Sequence, residues 1–143
     1  METSGSYIKE FDEWNSVKKV VDTGDRQVFG YPREVWWCSL GVNVGAEIDG
    51  KNENFERPVI IMHVYNTETM LVLPTTGKAK PDKFHFPIEI EGQNPETKES
   101  YKKIVYVKLT QARTISNKRL MRKVDVISEG DFERIKDAFK AFI

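Results

Sequence analysis

Two apolar runs facing each other across a short polar turn dominate this sequence. Arg57-Pro58 opens the run Val59-Ile60-Ile61-Met62-His63-Val64, Tyr65-Asn66-Thr67-Glu68-Thr69 turns the chain, and Met70-Leu71-Val72-Leu73-Pro74 returns it. Apolar residues at nearly every position predict strands buried on both faces, and the polar interval makes the pair a β-hairpin. Such a hairpin folds only if further elements cover both its faces.

The flanking sequence supplies them. Val35-Trp36-Trp37-Cys38-Ser39-Leu40 reads as a strand bounded by Gly41, followed by a long loop from Gly41 to Glu56. Phe84, Phe86, Ile88 and Ile90 alternate with Lys83, His85, Glu89 and Glu91, a half-buried strand with the Phe rings inward and Pro87 marking an edge. Gly92 to Ser100 reads as a loop, and residues 104–109 and 123–127 as further strands. Ser128-Glu129-Gly130-Asp131 fits a helix cap before the apolar stripe Phe132, Ile135, Phe139 and Phe142.

Residues 6–21 predict an amphipathic helix, because Tyr7, Ile8, Phe11, Trp14, Val17, Val20 and Val21 recur at spacings of three and four. Asp22-Thr23-Gly24-Asp25 ends it and Gly30-Tyr31-Pro32 marks a boundary. The expected organisation is a helical extension over residues 1–30 and one domain over residues 31–143. That domain is mainly β, a small twisted barrel closed by a C-terminal helix.

At 143 residues the chain has room for one such core. No apolar stretch reaches the roughly 18 residues a membrane helix needs, and no basic-then-apolar leader opens the chain, so a cytoplasmic protein without a membrane partner is expected. One cysteine and two histidines cannot build a standard zinc site, so neither a metal nor another cofactor is expected. Phosphate-cradling and nucleophile-elbow motifs are both missing. Cys38 lies in an apolar strand, where a thiol is inert filler.

Net charge is zero but unevenly spread: residues 1–56 carry 6 Lys/Arg and 11 Asp/Glu, residues 57–143 carry 16 and 11. The basic part could attract phosphate, unless folding interleaves the two signs. If the hairpin turns around Asn66-Thr67, Pro58 faces Thr75 and Arg57 faces Thr76 at its open end. Directly opposed residues lie roughly 4.5–5.5 Å apart at Cβ. A guanidinium beside hydroxyls suits a phosphate in transfer. The same spacing equally allows Arg57 to close onto a loop carboxylate such as Glu47 or Glu56. Lys78, Lys80 and Lys83 precede Phe84-His85-Phe86, the mixture of cations and rings found in binders of single-stranded nucleic acid. His85 reads either as an exposed strand histidine or as a stacking or proton-transfer group.

The ordered series Val35-Trp36-Trp37-Cys38-Ser39-Leu40, Gly45-Ala46-Glu47, Arg57-Pro58-Val59-Ile60-Ile61, Leu73-Pro74-Thr75-Thr76 and Gln111-Ala112-Arg113-Thr114-Ile115 resembles the MazF/PemK toxins. Arg119-Leu120 and Arg122-Lys123 continue the likeness, which spans residues 35–139. The resemblance implies an SH3-like small β-barrel of the MazF/CcdB kind, forming a homodimer with RNA in a groove at the interface. It implies a sequence-selective, metal-independent endoribonuclease acting on single-stranded RNA, neutralised by a cognate antitoxin.

By the same resemblance the catalytic pair falls on Arg57 and Thr75. Glu47, His85 and Thr76 are the supporting or proton-transfer candidates, and Lys78, Lys80, Lys83 and Arg113 the RNA-binding ones. Three departures stand out: the helix at 6–21, the insertion Asp49 to Glu56, and Ile48 where the pattern has glutamine. The alternative is a non-catalytic barrel of the CcdB kind, a topoisomerase poison. Those toxins end Trp-Gly-Ile, whereas this chain ends Ala141-Phe142-Ile143.

Overall fold

The structure is a computed structural model and describes residues 7–25, 27–52 and 54–143. The elements run α1 (Phe11–Thr23), β1 (Glu34–Ser39), β2 (Glu56–Val64), β3 (Thr69–Thr76), β4 (His85–Gln93), β5 (Ser100–Lys108), β6 (Arg113–Ser116), a 3₁₀ turn at Asn117–Arg119, β7 (Leu120–Val126) and α2 (Glu129–Lys140). The expected mainly-β fold with two helices is what forms: a curled antiparallel half-barrel in the order β4-β5-β3-β2-β1-β7, with β6 paired to β3.

The buried hairpin is the axis of this sheet. β3 changes partner along its length, pairing with β6 at Thr69–Val72 and with β5 at Thr75 and Thr76. That switch lets the sheet curl, so that the Glu91 N–H on β4 donates to Asp125 Oδ2 on β7 at 2.8 Å. Alternation along the hairpin splits the apolar residues between two cores. Val35, Ile60, Leu73, Val105, Val107 and Ile135 fill one. Trp36, Cys38, Val59, Ile61, Val72 and Ile115 fill the other. Fully burying one such side chain contributes about 1.5–3 kcal/mol.

Pro87 lies on the edge strand β4, where its missing N–H costs no ladder bond. Ser128 caps α2 as expected, its Oγ accepting from the Asp131 N–H at 3.1 Å. Phe132 and Ile135 then bury against the first core.

Four expectations need correction. The N-terminal helix begins at Phe11 rather than residue 6, which itself lies outside the described residues; residues 7–10 are not helical. Its apolar stripe is mostly unburied, since only Trp14 is buried while Tyr7, Ile8, Phe11 and Val20 are exposed. Trp14 finds a socket, edge-on to Phe55 with ring centroids 5.6 Å apart, and Val17 packs partly buried beside it. Phe84 does not face the core: it is 41% exposed and stacks on Phe142, because β4 starts only at His85 and the alternation cannot reach back to it. The 92–100 loop shrinks to a hairpin turn as β4 runs to Gln93 and β5 starts at Ser100, and β6 was not anticipated.

Candidate active site

The hairpin register near its open end is the expected one. Val59 pairs with Pro74, Ile60 with Leu73 and Ile61 with Val72, so Pro58 comes opposite Thr75 and Arg57 opposite Thr76. Toward the turn a bulge between Ile61 and His63 shifts the pairing. Side chains alternate along a strand. Arg57 therefore starts on the face of its partner Cys38, and Thr75 on the face of its partner Val107.

The two still meet, because the long Arg57 side chain sits where β2 begins. Its Nη1 donates to the Thr75 backbone carbonyl at 3.0 Å and its Nε to the Asp49 carbonyl at 2.7 Å. The Thr75 hydroxyl donates across the strand pair to the Pro58 carbonyl at 2.8 Å. Neither Glu47 nor Glu56 forms an ion pair with Arg57; two backbone carbonyls hold the guanidinium instead. Those bonds occupy two of its five N–H groups.

Arg57 is 9% exposed, and it lines two cavities. One, of about 250 Å³, is shared with Thr75, Trp37, Lys51 and Lys103. The other, of about 710 Å³, is bordered by Glu47, Lys51 and Lys78 on one side and residues 7–10 on the other. Burial pulls the Arg57 pKa below its ordinary value, with Asp49 and Tyr7 pulling the other way. Lys51 is lowered by burial and then by Arg57 and Lys78. Lys108 is lowered by burial and then chiefly by Arg57 and Lys80, Asp82 opposing. Cations crowding one another in this way leave a positive field that an anion relieves.

The other sequence candidates are distributed around this centre. Thr76 is buried, and its hydroxyl accepts from the Lys78 N–H at 3.3 Å. Glu47 is exposed, with Oε1 accepting from the Val44 N–H at 3.1 Å. His85 lines neither Arg57 cavity; its Nδ1 lies 2.7 Å from Asp82, and that hydrogen bond heads the causes holding the Asp82 carboxyl below its usual range. Lys83 lies 5.3 Å from the Phe84 ring centre. Arg113 donates to the Leu40 carbonyl at 3.1 Å and borders a separate recess with Glu47, Ile48 and Gln111.

Four residues at the site escaped the sequence reading. Lys51 and Asp49 lie in the insertion and match no motif. Lys108 is the register partner of His85 and carried no motif of its own. Trp37, the register partner of Pro58, has the Arg122 guanidinium 4.9 Å from its ring centre. Cys38 is fully buried and its thiol is pushed up to about 12 by burial, so it is no nucleophile here. Among the described residues no three His, Cys, Asp or Glu side chains gather as a metal group, and no helix is long and apolar enough to cross a membrane.

A family model described as PemK-like, MazF-like toxin of type II toxin-antitoxin system matches residues 31–143. No curated protein sequence matches the chain. Among solved structures, 41 chains match. One is the Mycobacterium tuberculosis toxin MazF-mt6, with TM-score 0.55 and 17% identity, covering 77% of this chain and 96% of that one. The half-barrel is therefore a MazF-like fold.

Proposed function

The chain belongs to the PemK-like, MazF-like toxin family of type II toxin–antitoxin systems, and from that premise we propose that it is a sequence-selective, metal-independent endoribonuclease of single-stranded RNA. Residues 31–143 form the toxin domain in this reading, with residues 1–30 as an extension. The observation that carries it is the cavity shared by Arg57 and Thr75, where Lys51 and Lys103 add two further cations against the single carboxylate of Glu56. An RNA phosphodiester has the charge and shape that such a cavity favours.

The ribose 2′-oxygen attacks the adjacent phosphorus, its proton passing to a base, and the bond to the 5′-oxygen breaks, that oxygen taking a proton from water. A 2′,3′-cyclic phosphate and a 5′-hydroxyl end result. Arg57 stabilises the extra charge of the phosphorane through the N–H groups its two carbonyl partners leave over. The Thr75 hydroxyl swings from the Pro58 carbonyl to a phosphate oxygen. A guanidinium is a poor base, so proton removal falls to water or to Glu47, which lines the larger of the two Arg57 cavities, whereas His85 lines neither. Lys78 contacts flanking phosphates, and Lys80, Lys83 and Arg113 extend the track. DNA binds but survives, lacking the attacking hydroxyl.

Membership of a type II system implies an antitoxin partner. Our reading adds that the antitoxin occupies the RNA groove, that two copies form that groove, and that the protein works in the cytoplasm. The test is to incubate purified protein with varied single-stranded RNA in excess chelator and map the ends, beside Arg57→Ala. We expect a few defined cuts with cyclic phosphate ends, and a loss of about 10²–10³ in rate for the variant. A wild type that cuts no RNA would favour a non-catalytic toxin such as a topoisomerase poison. Undiminished cutting by the variant would move the active site elsewhere.

A further inference from the structure

We propose that Tyr7 forms a nucleobase subsite, its ring stacking against a base of the RNA next to the scissile phosphate; this rests on the RNA-cleaving reading above. Tyr7 lies outside the stretch that the family model matches, so the subsite belongs to this chain's own N-terminal segment.

The geometry is a tethered platform. The Tyr7 side chain is 66% exposed, yet its hydroxyl donates to Asp49 Oδ2 at 3.0 Å, a carboxylate on a residue only 9% exposed. The other oxygen of that carboxylate accepts from the Asn43 N–H at 2.6 Å. Lys9 fastens the same segment, with Nζ donating to the Asn43 and Gly45 carbonyls and lying 3.5 Å from Asp49. The backbone carbonyl of Asp49 holds Arg57 Nε. One residue thus grips the guanidinium with its main chain and the phenol with its side chain.

Two thirds of the residue stays open to solvent. Tyr7 lines the cleft of about 710 Å³ together with Arg57, Lys51 and Lys78 and the carboxylates Glu10, Glu47 and Asp49, the last already taken by the phenol and Lys9; the volume falls within the roughly 300–1,000 Å³ typical of ligand pockets. An aromatic fixed at its far end has little freedom left to lose when a flat group settles on it. Every base offers such a face, and base–aromatic stacking is a main source of single-strand affinity. The lysines and Arg57 supply the cations that the attached phosphates need. A tethered, solvent-exposed tyrosine beside Arg57, Lys51 and Lys78 offers a nucleotide a stacking partner and cations together.

The test compares wild type, Tyr7→Ala and Tyr7→Phe on an RNA oligonucleotide that the wild type cuts. Steady-state kinetics are paired with affinity for the same oligonucleotide made uncleavable by 2′-O-methyl groups. Tyr7→Ala should raise both KM and Kd by about tenfold, with a smaller effect on kcat. Tyr7→Phe keeps the ring without its tether and should restore part of that loss in KM and Kd. Unchanged KM and Kd in Tyr7→Ala would overturn the subsite while leaving RNA cleavage intact. So would a Tyr7→Phe that falls with Tyr7→Ala in kcat, since the hydroxyl's hold on Asp49, and through it on Arg57, would then be what matters. A wild type that neither cuts nor binds RNA would sink the cleavage reading and the subsite together.

Discussion

Arg57 and Thr75 start on opposite faces of the sheet, yet the guanidinium lies 3.0 Å from the Thr75 carbonyl. The contact is possible because the acceptor is the Thr75 main-chain carbonyl, which lies between the faces, and not the Thr75 side chain. It joins a main-chain acceptor to a fixed cation and leaves the Thr75 hydroxyl on the Pro58 carbonyl. The hydroxyl thus rests on a neutral acceptor while the guanidinium holds the carbonyl of the same residue.

Thr75→Val tests that arrangement while keeping the branched shape. Removing the hydroxyl takes this donor from a part-buried Pro58 carbonyl, which should cost about 0.5–1.5 kcal/mol in a urea melt. RNA cleavage should fall by about 10²-fold. Thr75→Ser should retain most of both. A fully active valine variant would remove the hydroxyl from the chemistry.

Gly41 holds the N-terminal helix on the barrel. Its φ of +81° is a left-handed conformation, and a Cβ there would sit inside the Trp14 indole. Gly41→Ala should therefore release Trp14 and with it α1. Amide exchange in residues 11–23 should accelerate, while exchange in β2 and β3 changes little. Equal protection in variant and wild type would mean that α1 is held by something other than this socket.

Glu34 gives stability a pH dependence of definite sign. Burial raises its carboxyl pKa, but the Trp36 Nε1–H, the Tyr31 N–H and Lys123 together outweigh that and lower it below the ordinary 4.5. A lowered folded-state pKa contributes stability that is present above the unfolded value and lost as pH falls through the folded one. Urea midpoints of the wild type should drop on acidification below 4.5, and more steeply than those of Glu34→Gln. Parallel curves would show that Glu34 titrates alike in both states.

Cys38 should be silent in the native protein. With no exposure and a pKa pushed up to about 12, it offers neither access nor thiolate. A thiol reagent near pH 8 should leave the folded chain unmodified by mass and label it fully once denatured. Rapid labelling of the native protein would show that β1 opens.

The short-range physics of this protein was written in its residue order. Apolar runs and alternation located six of the strands, the polar interval fixed the hairpin register at its open end, and Ser128 marked the start of α2. Each depends on neighbours a few residues apart, so a linear reading captures it. β6 escaped because four residues, Arg113–Ser116, carry too little pattern. Which faces find cover was decided by tertiary structure. The stripe of α1 has helical period, but only Trp14 is buried, in a socket built by Gly41 and Phe55 far along the chain. The candidate site divides in the same way. Residue order named Arg57 and Thr75, while folding brought Lys51, Lys108, Asp49 and Tyr7 to them. Long side chains at strand ends choose partners by distance in space, and alternation along one strand cannot encode that choice.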